Sequence, residues 1–530
     1  MPNDKTSNSS PGAEPTAELE RTGRFAGGMI NDLRRRLPHY WNDFAAGIHP
    51  KVAGSTLFLF FACLANAIAF GALTGFLTDG QIGTTEMLIA TAVGGITFAL
   101  FSGQPLTILG GTGPITIFTA LLFVTCQNLE LEFLPAYAWV GIWSGILLMI
   151  LAVTDASALM SYFTRFTDEI FAALVAVIFI VEAVKDVASG FVEPGVPHDK
   201  ALLGLVLAMG TFVLARNLNE FRNSKYLRWR VRDFLSDFGP AIAIAVMTGV
   251  AIWLKDVPRE LAVVPDTFGT TTGRPWTVDL FSAPTWLYFA AIGPAILAVI
   301  LLFLDQNITT RLVNAKHHKL TKGAGYHLDL FIVGLIVFVG SIFGLPWIVA
   351  ATVHSLNHVR SLADTEVTEV NGERKEAIKS VRENRISPLL IHVAIGVSLL
   401  FLPIVKTIPM SVLFGLFLYM GFASLKGNEF FERFKLWAMD PRLYPKTHHF
   451  MGKVPNGVIH KFTLIQVVCL AVLWVLKSSK LGLLFPVLIA ALVPIRKSLS
   501  RFFDAKHLQA LDEEEEAEVV DEEGGPKLRP

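Results

Sequence analysis

Charge is scarce in this sequence. Asp, Glu, Lys and Arg together supply 17% of its 530 residues, against roughly 25% in an ordinary soluble domain. With so few charges and 52% of positions hydrophobic, a pair of soluble domains is excluded, although the length alone would accommodate them. Cysteine is scarce too. Cys63, Cys126 and Cys469 all lie in apolar stretches without metal-type spacing, which argues against a disulfide framework or a redox centre. Residues 1–20 are polar and lack an apolar core of the signal-peptide kind, so no cleavable signal peptide is expected. No nucleophile elbow, nucleotide loop or zinc spacing occurs, and "GGTGPIT" has no lysine of a phosphate-binding loop. The expectation is a protein that is not an enzyme and holds no cofactor.

What stands in their place is a series of apolar blocks of about 15 to 22 residues, each able to cross most or all of a bilayer core. Mean hydropathy is +0.51. Spans are expected near 51–76, 86–101, 105–124, 136–153, 168–187, 201–215, 238–254, 285–304, 328–344, 347–362, 387–402, 408–424, 462–477 and 481–495. Basic residues crowd "RNLNEFRNSKYLRWRVR" (216–232), "RLVNAKHHKLTK" (311–322), "ERKEAIKSVRENR" (373–385), "RRR" (34–36) and "RKSLSR" (496–501). Fourteen spans with a cytoplasmic start put all five on one side, as the positive-inside rule requires. The expected product is a multi-pass plasma (inner) membrane protein with both termini cytoplasmic. Its divisions are an N-terminal segment with an amphipathic helix (1–50), seven spans (51–254), an extracellular connection (255–284), seven more spans (285–502) and a solvated acidic tail (503–530) that holds "LDEEEEAEVVDEE" (511–523).

Two of the spans are abnormal. The third opens "FSGQPLTILGGTGPITIFTALLF" (101–123) and the tenth "FGLPWIVAATVHSLNHVRSLA" (343–363), with Pro105, the Gly113-Pro114 step and Pro346. Proline lacks an N–H and disfavours helix in the residue before it, so each span reads as an extended lead-in followed by a half-length helix. Bare backbone at that depth survives only where protein buries it or it lines a cavity. The two hold the third place in each half of seven, and an odd number of spans inverts one half relative to the other. Interrupted segments at matching places of an inverted repeat point to a transporter's midplane site. The fold class expected is therefore an all-α polytopic membrane protein of fourteen spans, a 7+7 inverted repeat with core and gate domains and with spans 3 and 10 as half-helices. Facing half-helix N-termini suit a small anion. The amides of Thr112, Gly113 and Ile115, beside Pro114, and those of Thr352, Val353 and His354 are the candidate anion ligands.

"LLFLDQNITTRL" (301–312) adds a carboxylate at the end of an apolar run. Asp305 and Thr309, four apart on one helix face, offer oxygen ligands for a hard cation such as Na⁺; pairing of Asp305 with Arg311 is the competing reading. Glu182 and Lys185 are read as headgroup or pairing residues, His317 and His318 as part of a basic loop, and His358 and Arg360 as approaching the cytoplasm. Asn66 and Gln104 are read as helix-packing polar groups.

These residues resemble solute carrier family 4, the bicarbonate transporters and anion exchangers. The likeness runs from about residue 28 to 502 through "GMINDLRRRLPHYWNDF" (28–44), "FSGQPLTILGGTGPITIF", "FLDQNITTRLVNAKHHKLTKGAGYHLDL" (303–330), "GLPWIVAATVHSLNHVRSLA", "VRENR" (381–385), "IPMSVLFGLFLYMGFASLKG" (408–427) and "FTLIQVVCLAVLW" (462–474). The resemblance implies substrate between the half-helices, a core that moves against the gate like an elevator, and a homodimer through the gate domains. Asp305 matches the family's acidic residue on span 8, which is Asp in sodium-coupled and borate-transporting members and Glu in chloride–bicarbonate exchangers. Thr309 matches the threonine that assists sodium. His354 stands where exchangers have arginine and sodium-coupled members an aliphatic residue. About fifty residues precede the first span, where animal members carry a large domain, so a compact, prokaryotic-type member is expected. The function expected is sodium-coupled bicarbonate or carbonate transport. Chloride–bicarbonate exchange, proton-linked anion transport, borate transport and a non-transporting membrane scaffold are the alternatives.

Overall fold

Apolar runs of this length leave their backbone no polar solvent, so they coil into helices that satisfy their own N–H and C=O groups. The computed structural model describes residues 19 and 21–512, except 263, 266, 267, 371, 372, 427, 446, 447 and 449. The acidic run, from residue 513 onward, lies outside the described residues. Helices α1 (Gly27–Arg36) and α2 (Tyr40–Ala45) precede the first apolar run. The first half comprises α3 (Pro50–Leu77), α4 (Thr84–Phe101), α5 (Gly113–Asn128), α6 (Phe133–Val153), α7 (Arg165–Val192), α8 (His198–Glu220), α9 (Trp229–Asp237) and α10 (Gly239–Trp253). The second comprises α11 (Thr285–Ala290), α12 (Ile292–Val313), α13 (Tyr326–Ile342), α14 (Thr352–Leu362), α15 (Ile386–Ser398), α16 (Leu402–Val405), α17 (Met410–Leu425), α18 (Glu429–Lys435), α19 (Asn456–Lys477) and α20 (Phe485–Leu499), followed by α21 (Ala505–Asp512). Every expected span carries a helix. Among the described residues, eight helical runs are by themselves long and apolar enough to cross a membrane, and α5, α10 and α13 are shorter apolar helices.

The packing follows an inverted repeat. In one body, α13 lies on α6 as α15 lies on α4, α12 on α6 as α3 on α15, and α14 on α3 as α5 on α12. In the other, α7 and α17 pack together, α8 packs on α10 as α19 on α20, and α17 on α8 as α7 on α19. Each contact has a counterpart when the halves are exchanged. The first body holds both interrupted segments. In the second, Arg433 is fully buried and pairs with Glu169 and Glu429, while Gln466 bonds Glu169; α7, α18 and α19 are thereby pinned.

One boundary is corrected. The eighth span was expected to end at 304, but α12 runs through Val313, so Asp305 lies inside a continuous helix. Hydropathy falls at "DQNITT" while helix persists. Asn307 donates to the Phe303 carbonyl at 2.9 Å and Thr310 to the Gln306 carbonyl at 2.9 Å, so these side-chain donors are taken up by the preceding turn.

The N-terminal segment is bolted to the first body by buried charges. Asp155 accepts from the amides of Thr22 and Gly28 at 3.0 and 2.8 Å. Asp32 accepts from the amides of His327 and Leu328 at 2.8 and 3.1 Å, which caps the start of α13. Asp43 meets Arg36, Lys322 and Arg385, and Glu383 of the "VRENR" run meets Arg36 at 2.9 Å.

Candidate functional site

The lead-ins before α5 and α14 are extended and buried. Proline at 105 and 346, the β-branched Ile108 and Val349, and the glycine pair at 110–111 all disfavour helix there. The two lead-ins pair with each other. Strand β1 (Leu109–Gly110) runs antiparallel to β2 (Val349–Ala350), with Leu109 opposite Ala350 and Gly110 opposite Val349. The Ala351 amide extends the ladder to the Ile108 carbonyl at 2.8 Å. Backbone groups that no helix serves are thus satisfied by each other, as burial demands. At 1.5 Å per residue, the 16 residues of α5 and the 11 of α14 reach about 24 and 16 Å, short of a hydrocarbon core of about 30 Å.

Both helices start at this crossing. Thr112 caps α5 and Ala351 caps α14, each in extended geometry. The amides of Gly113 and Ile115 have no partner within α5 because helix geometry leaves the first turn open, and Pro114 has no amide to offer. The same geometry opens the amides of Thr352, Val353 and His354; Thr116 and Ser355 are the first residues to donate back, at 3.1 and 2.9 Å. All seven expected anion-site residues therefore lie at the two tips.

Helix α12 crosses both tips. Asp305, 8% exposed, accepts a hydrogen bond from the Thr112 hydroxyl at 2.7 Å. One turn on, Thr309 is fully buried, its hydroxyl 2.6 Å from that of Thr352 and 3.3 Å from the Ala350 carbonyl. The shared helix face thus addresses α5 with a carboxylate and α14 with a hydroxyl. Pairing of Asp305 with Arg311 does not occur: Arg311 binds Asp168 and the Phe163 carbonyl instead. Among the described residues no cluster of three or more His, Cys, Asp or Glu could hold a metal. The oxygens gathered here (one carboxylate, hydroxyls, a carbonyl) are those a hard monovalent cation takes.

The remaining expected residues fall around this centre. His354 reaches its Nε2 to the Ala62 carbonyl of α3 at 3.3 Å. Asn66, one turn along α3, donates to the Gly111 carbonyl at 3.2 Å and so touches the site's edge. Gln104 lies in the first lead-in, bonded to Asn314 at 2.9 Å. Glu182 pairs with Lys477 at 3.1 Å. His318 bonds the Val313 carbonyl at 2.9 Å within its loop. His358, expected to approach the cytoplasm, is fully buried within the protein, bonding the Leu106 carbonyl at 2.9 Å and Ser387 at 2.7 Å, because the helix that carries it packs beneath the first lead-in.

Several participants escaped the sequence. Gln306 is fully buried and accepts the Ala350 amide at 3.1 Å, holding β2 against α12. Ser355 accepts the Ile108 amide at 2.9 Å and so ties α14 to the other half's lead-in. Their signal was faint: polar residues in apolar surroundings. Phe179 of α7 had none. It stacks on Phe417 of α17 at 5.7 Å and meets Phe70 of α3 at 5.7 Å, so an aromatic trio joins the two bodies next to the tip of α5. Gly113 is needed there: a Cβ would lie 2.6 Å from the Phe179 ring.

Comparison with known proteins agrees with this architecture. The structural likenesses include the transmembrane domain of a cyanobacterium bicarbonate transporter, BicA, with TM-score 0.56 and 16% identity over 80% of this chain and 98% of that one. Murine Solute Carrier 26 family member A9, an anion transporter in the inward-facing state, gives TM-score 0.59 and 14% identity over 93% of this chain and 73% of that one. At such identities the likeness speaks for the fold, a 7+7 inverted repeat. In sequence, the band 3 anion transport protein of Mus musculus is 38% identical over 531 residues, 96% of this chain and 57% of that protein. The electroneutral sodium bicarbonate exchanger 1 of Mus musculus is 37% identical over 574 residues, 95% of this chain and 52% of that protein. The chain thus spans little more than half the length of these relatives. The family model described as the HCO3- transporter integral membrane domain matches residues 24–196 and 191–516, and the chain belongs to that family.

Proposed function

We propose that the chain carries bicarbonate or carbonate across the membrane together with sodium, by moving the body that holds both half-helices against the other. The observation that carries this reading is the position of Asp305, which accepts from the cap of α5 while its helix neighbour Thr309 meets the first residue of α14. An anion bound by the open amides of both tips brings negative charge beside a buried carboxylate. A lone charge at mid-membrane costs about 3 kcal/mol on insertion scales. A sodium ion between Asp305 and the anion partly neutralises both, and the two helix ends, each equivalent to roughly half a positive charge, offset the negative charge left over when the anion is bicarbonate. In this reading Asp305 and Thr309 hold sodium, and Thr112, Gly113, Ile115, Thr352, Val353 and His354 hold the anion.

The names of the relatives support the substrate class, since they include a sodium bicarbonate exchanger and an anion transport protein. The pairing of helices into two bodies supports elevator-type movement, with the Phe70–Phe179–Phe417 contact as the seam that must slide. We place both termini on the cytoplasmic side and assign dimerisation to the α7–α8–α10 and α17–α19–α20 body.

The test is uptake of labelled bicarbonate into proteoliposomes, with sodium, chloride and borate varied separately. Uptake should require sodium and be indifferent to chloride. Asp305→Asn should abolish the sodium-dependent part while the protein still elutes as a folded species. Sodium-independent uptake in the parent protein, or full uptake in the variant, would sink the assignment.

A further inference from the structure

Helix α15 carries a histidine whose two ring nitrogens both face carbonyl oxygens. His392 is 1% exposed, with Nδ1 2.7 Å from the Pro388 carbonyl of its own helix and Nε2 3.3 Å from the Leu109 carbonyl. A carbonyl oxygen only accepts, and a neutral imidazole has one N–H and one bare nitrogen. A neutral ring therefore makes one of these bonds and turns a lone pair on the other oxygen. The shorter contact, to the preceding turn, keeps the hydrogen, so the bare Nε2 opposes Leu109. A second proton turns that opposition into a charge-assisted bond. The ring is hemmed in by α4, where a Cβ on Gly95 would lie 1.8 Å from its Cδ2. His358 of α14 is different. Its partners are the Leu106 carbonyl and the Ser387 hydroxyl, and a hydroxyl can donate to the bare nitrogen of a neutral ring.

We propose that His392 is a proton-binding site linked to the anion site, a positioning residue that acts through the Leu109 carbonyl. Leu109 belongs to β1, opposite Ala350, and Thr112 at the tip of α5 follows three residues on. The bond from the doubly protonated ring fixes the lead-in that carries this tip, and the ring's charge favours an anion at the open amides. Among the described residues of the helices that meet α15, the charged and titratable groups leave that charge unpaired. Lys51 of α3 is held by the Ala363 carbonyl and Asp364, Cys63 is buried, and Glu86 is held by Gly83 and Thr271 at the start of α4. Helix α14, joined to α15 through Ser387, brings His354, His358 and Arg360, none of them an acid. The arriving anion is then the counter-charge. Proton and anion each raise the affinity for the other by the same factor. The proposal rests on the transport reading for what the anion is, and not for the proton site itself.

The test uses the full chain labelled with nitrogen-15 histidine in vesicles, at about pH 6 and about pH 8, either side of the ordinary histidine value of about 6.5. Spectra are recorded by solid-state NMR with and without bicarbonate. A bare imidazole nitrogen is shifted far from a protonated one, and subtracting the spectrum of His392→Gln isolates the His392 signals. Nε2 should be bare at the higher pH without bicarbonate, and both nitrogens protonated at the lower pH with it. One bare nitrogen under every condition overturns the proposal, and so does a transition that bicarbonate does not shift. In uptake by the same vesicles at fixed sodium, half-saturation for bicarbonate should be about fivefold or more lower at the lower pH, the lower end of ordinary coupling between sites. His392→Gln should flatten that profile, with His392→Asn as the second variant if the first misfolds. A pH profile that survives both substitutions overturns the coupling. Absence of uptake alongside the bicarbonate-linked NMR transition would count against the transport reading alone.

Discussion

At the tip of α5 a threonine hydroxyl donates to a carboxylate, whereas at the tip of α14 a threonine hydroxyl meets another hydroxyl. Both tips have the same frame: a proline-marked lead-in, two residues of antiparallel strand, an extended cap, then helix. The frame recurs further out. Arg385 donates to the carbonyls of Ala99 and Ser102 at 2.8 and 2.7 Å, where α4 ends before the first lead-in. Arg274 donates to the carbonyls of Phe343 and Gly344 at 3.3 and 3.0 Å, where α13 ends before the second. Cations at helix C-termini complement the dipole there. The two halves therefore share their scaffold and differ in the chemistry hung on it. A symmetric frame brings two helix ends together, and an asymmetric pair of partners makes one of them cation-competent.

Experiments can sharpen that contrast, beginning with the largest effect. Asp305→Asn removes the carboxylate that accepts from the tip of α5 and should reduce sodium-dependent uptake by on the order of 100-fold or more, since breaking a buried charged interaction costs about 3–5 kcal/mol. Thr112→Val and Thr352→Val should then differ. The first deletes a hydrogen bond to a charged group, worth about 1.5–3 kcal/mol, and the second one between neutral groups, worth about 0.5–1.5 kcal/mol. Half-saturation for sodium should rise by roughly 10- to 100-fold in Thr112→Val and by less than about 10-fold in Thr352→Val. Equal shifts would mean that the tips are chemically alike. Gly113→Ala should slow transport through a clash with Phe179, at about 1–3 kcal/mol for overpacking, and adding Phe179→Ala should restore part of the rate.

The outer pair of caps gives a smaller effect, read as thermal stability. Arg385→Gln should lower the melting temperature more than Arg274→Gln, because Arg385 is 2% exposed and also meets Asp43 at 3.3 Å, while Arg274 is partly solvated. The smallest effect is one of pH. Burial pushes the Asp32 carboxyl up to about 6, against the pull of the Leu328 and His327 amides and Arg35. Because the folded value lies above the ordinary one of about 3.9, the proton favours the docked N-terminal segment. That contribution is complete below about pH 4 and fades as pH rises through 6. Hydrogen exchange at the His327 and Leu328 amides, corrected for intrinsic rate, should be slower at pH 5 than at pH 7, and Asp32→Asn should flatten the difference.

Much of this was legible in the residues because proline and hydropathy act locally. The broken third and tenth segments followed from Pro105, Gly113-Pro114 and Pro346, and the amide donors at both tips followed from where the helices restart. The end of the eighth span was misjudged because a hydropathy window reads side chains, while Asn307 and Thr310 donate to carbonyls of the preceding turn. The buried bonds of His358 were not legible, because no local property of a histidine discloses which carbonyl will lie above it.

By itself the sequence determined that the chain crosses the membrane many times, that two of its crossings are interrupted, and that a carboxylate lies beside them. Those properties belong to short stretches of chain, where helix propensity, proline geometry and the cost of buried charge act within a few residues. Only the tertiary structure decided that the lead-ins would pair as strands, that Asp305 would serve α5 while Thr309 served α14, that Gln306 and Ser355 would brace the crossing, and that Phe179 would close on Gly113. Each of these joins residues far apart in sequence, and such partners are chosen by the packing of whole helices.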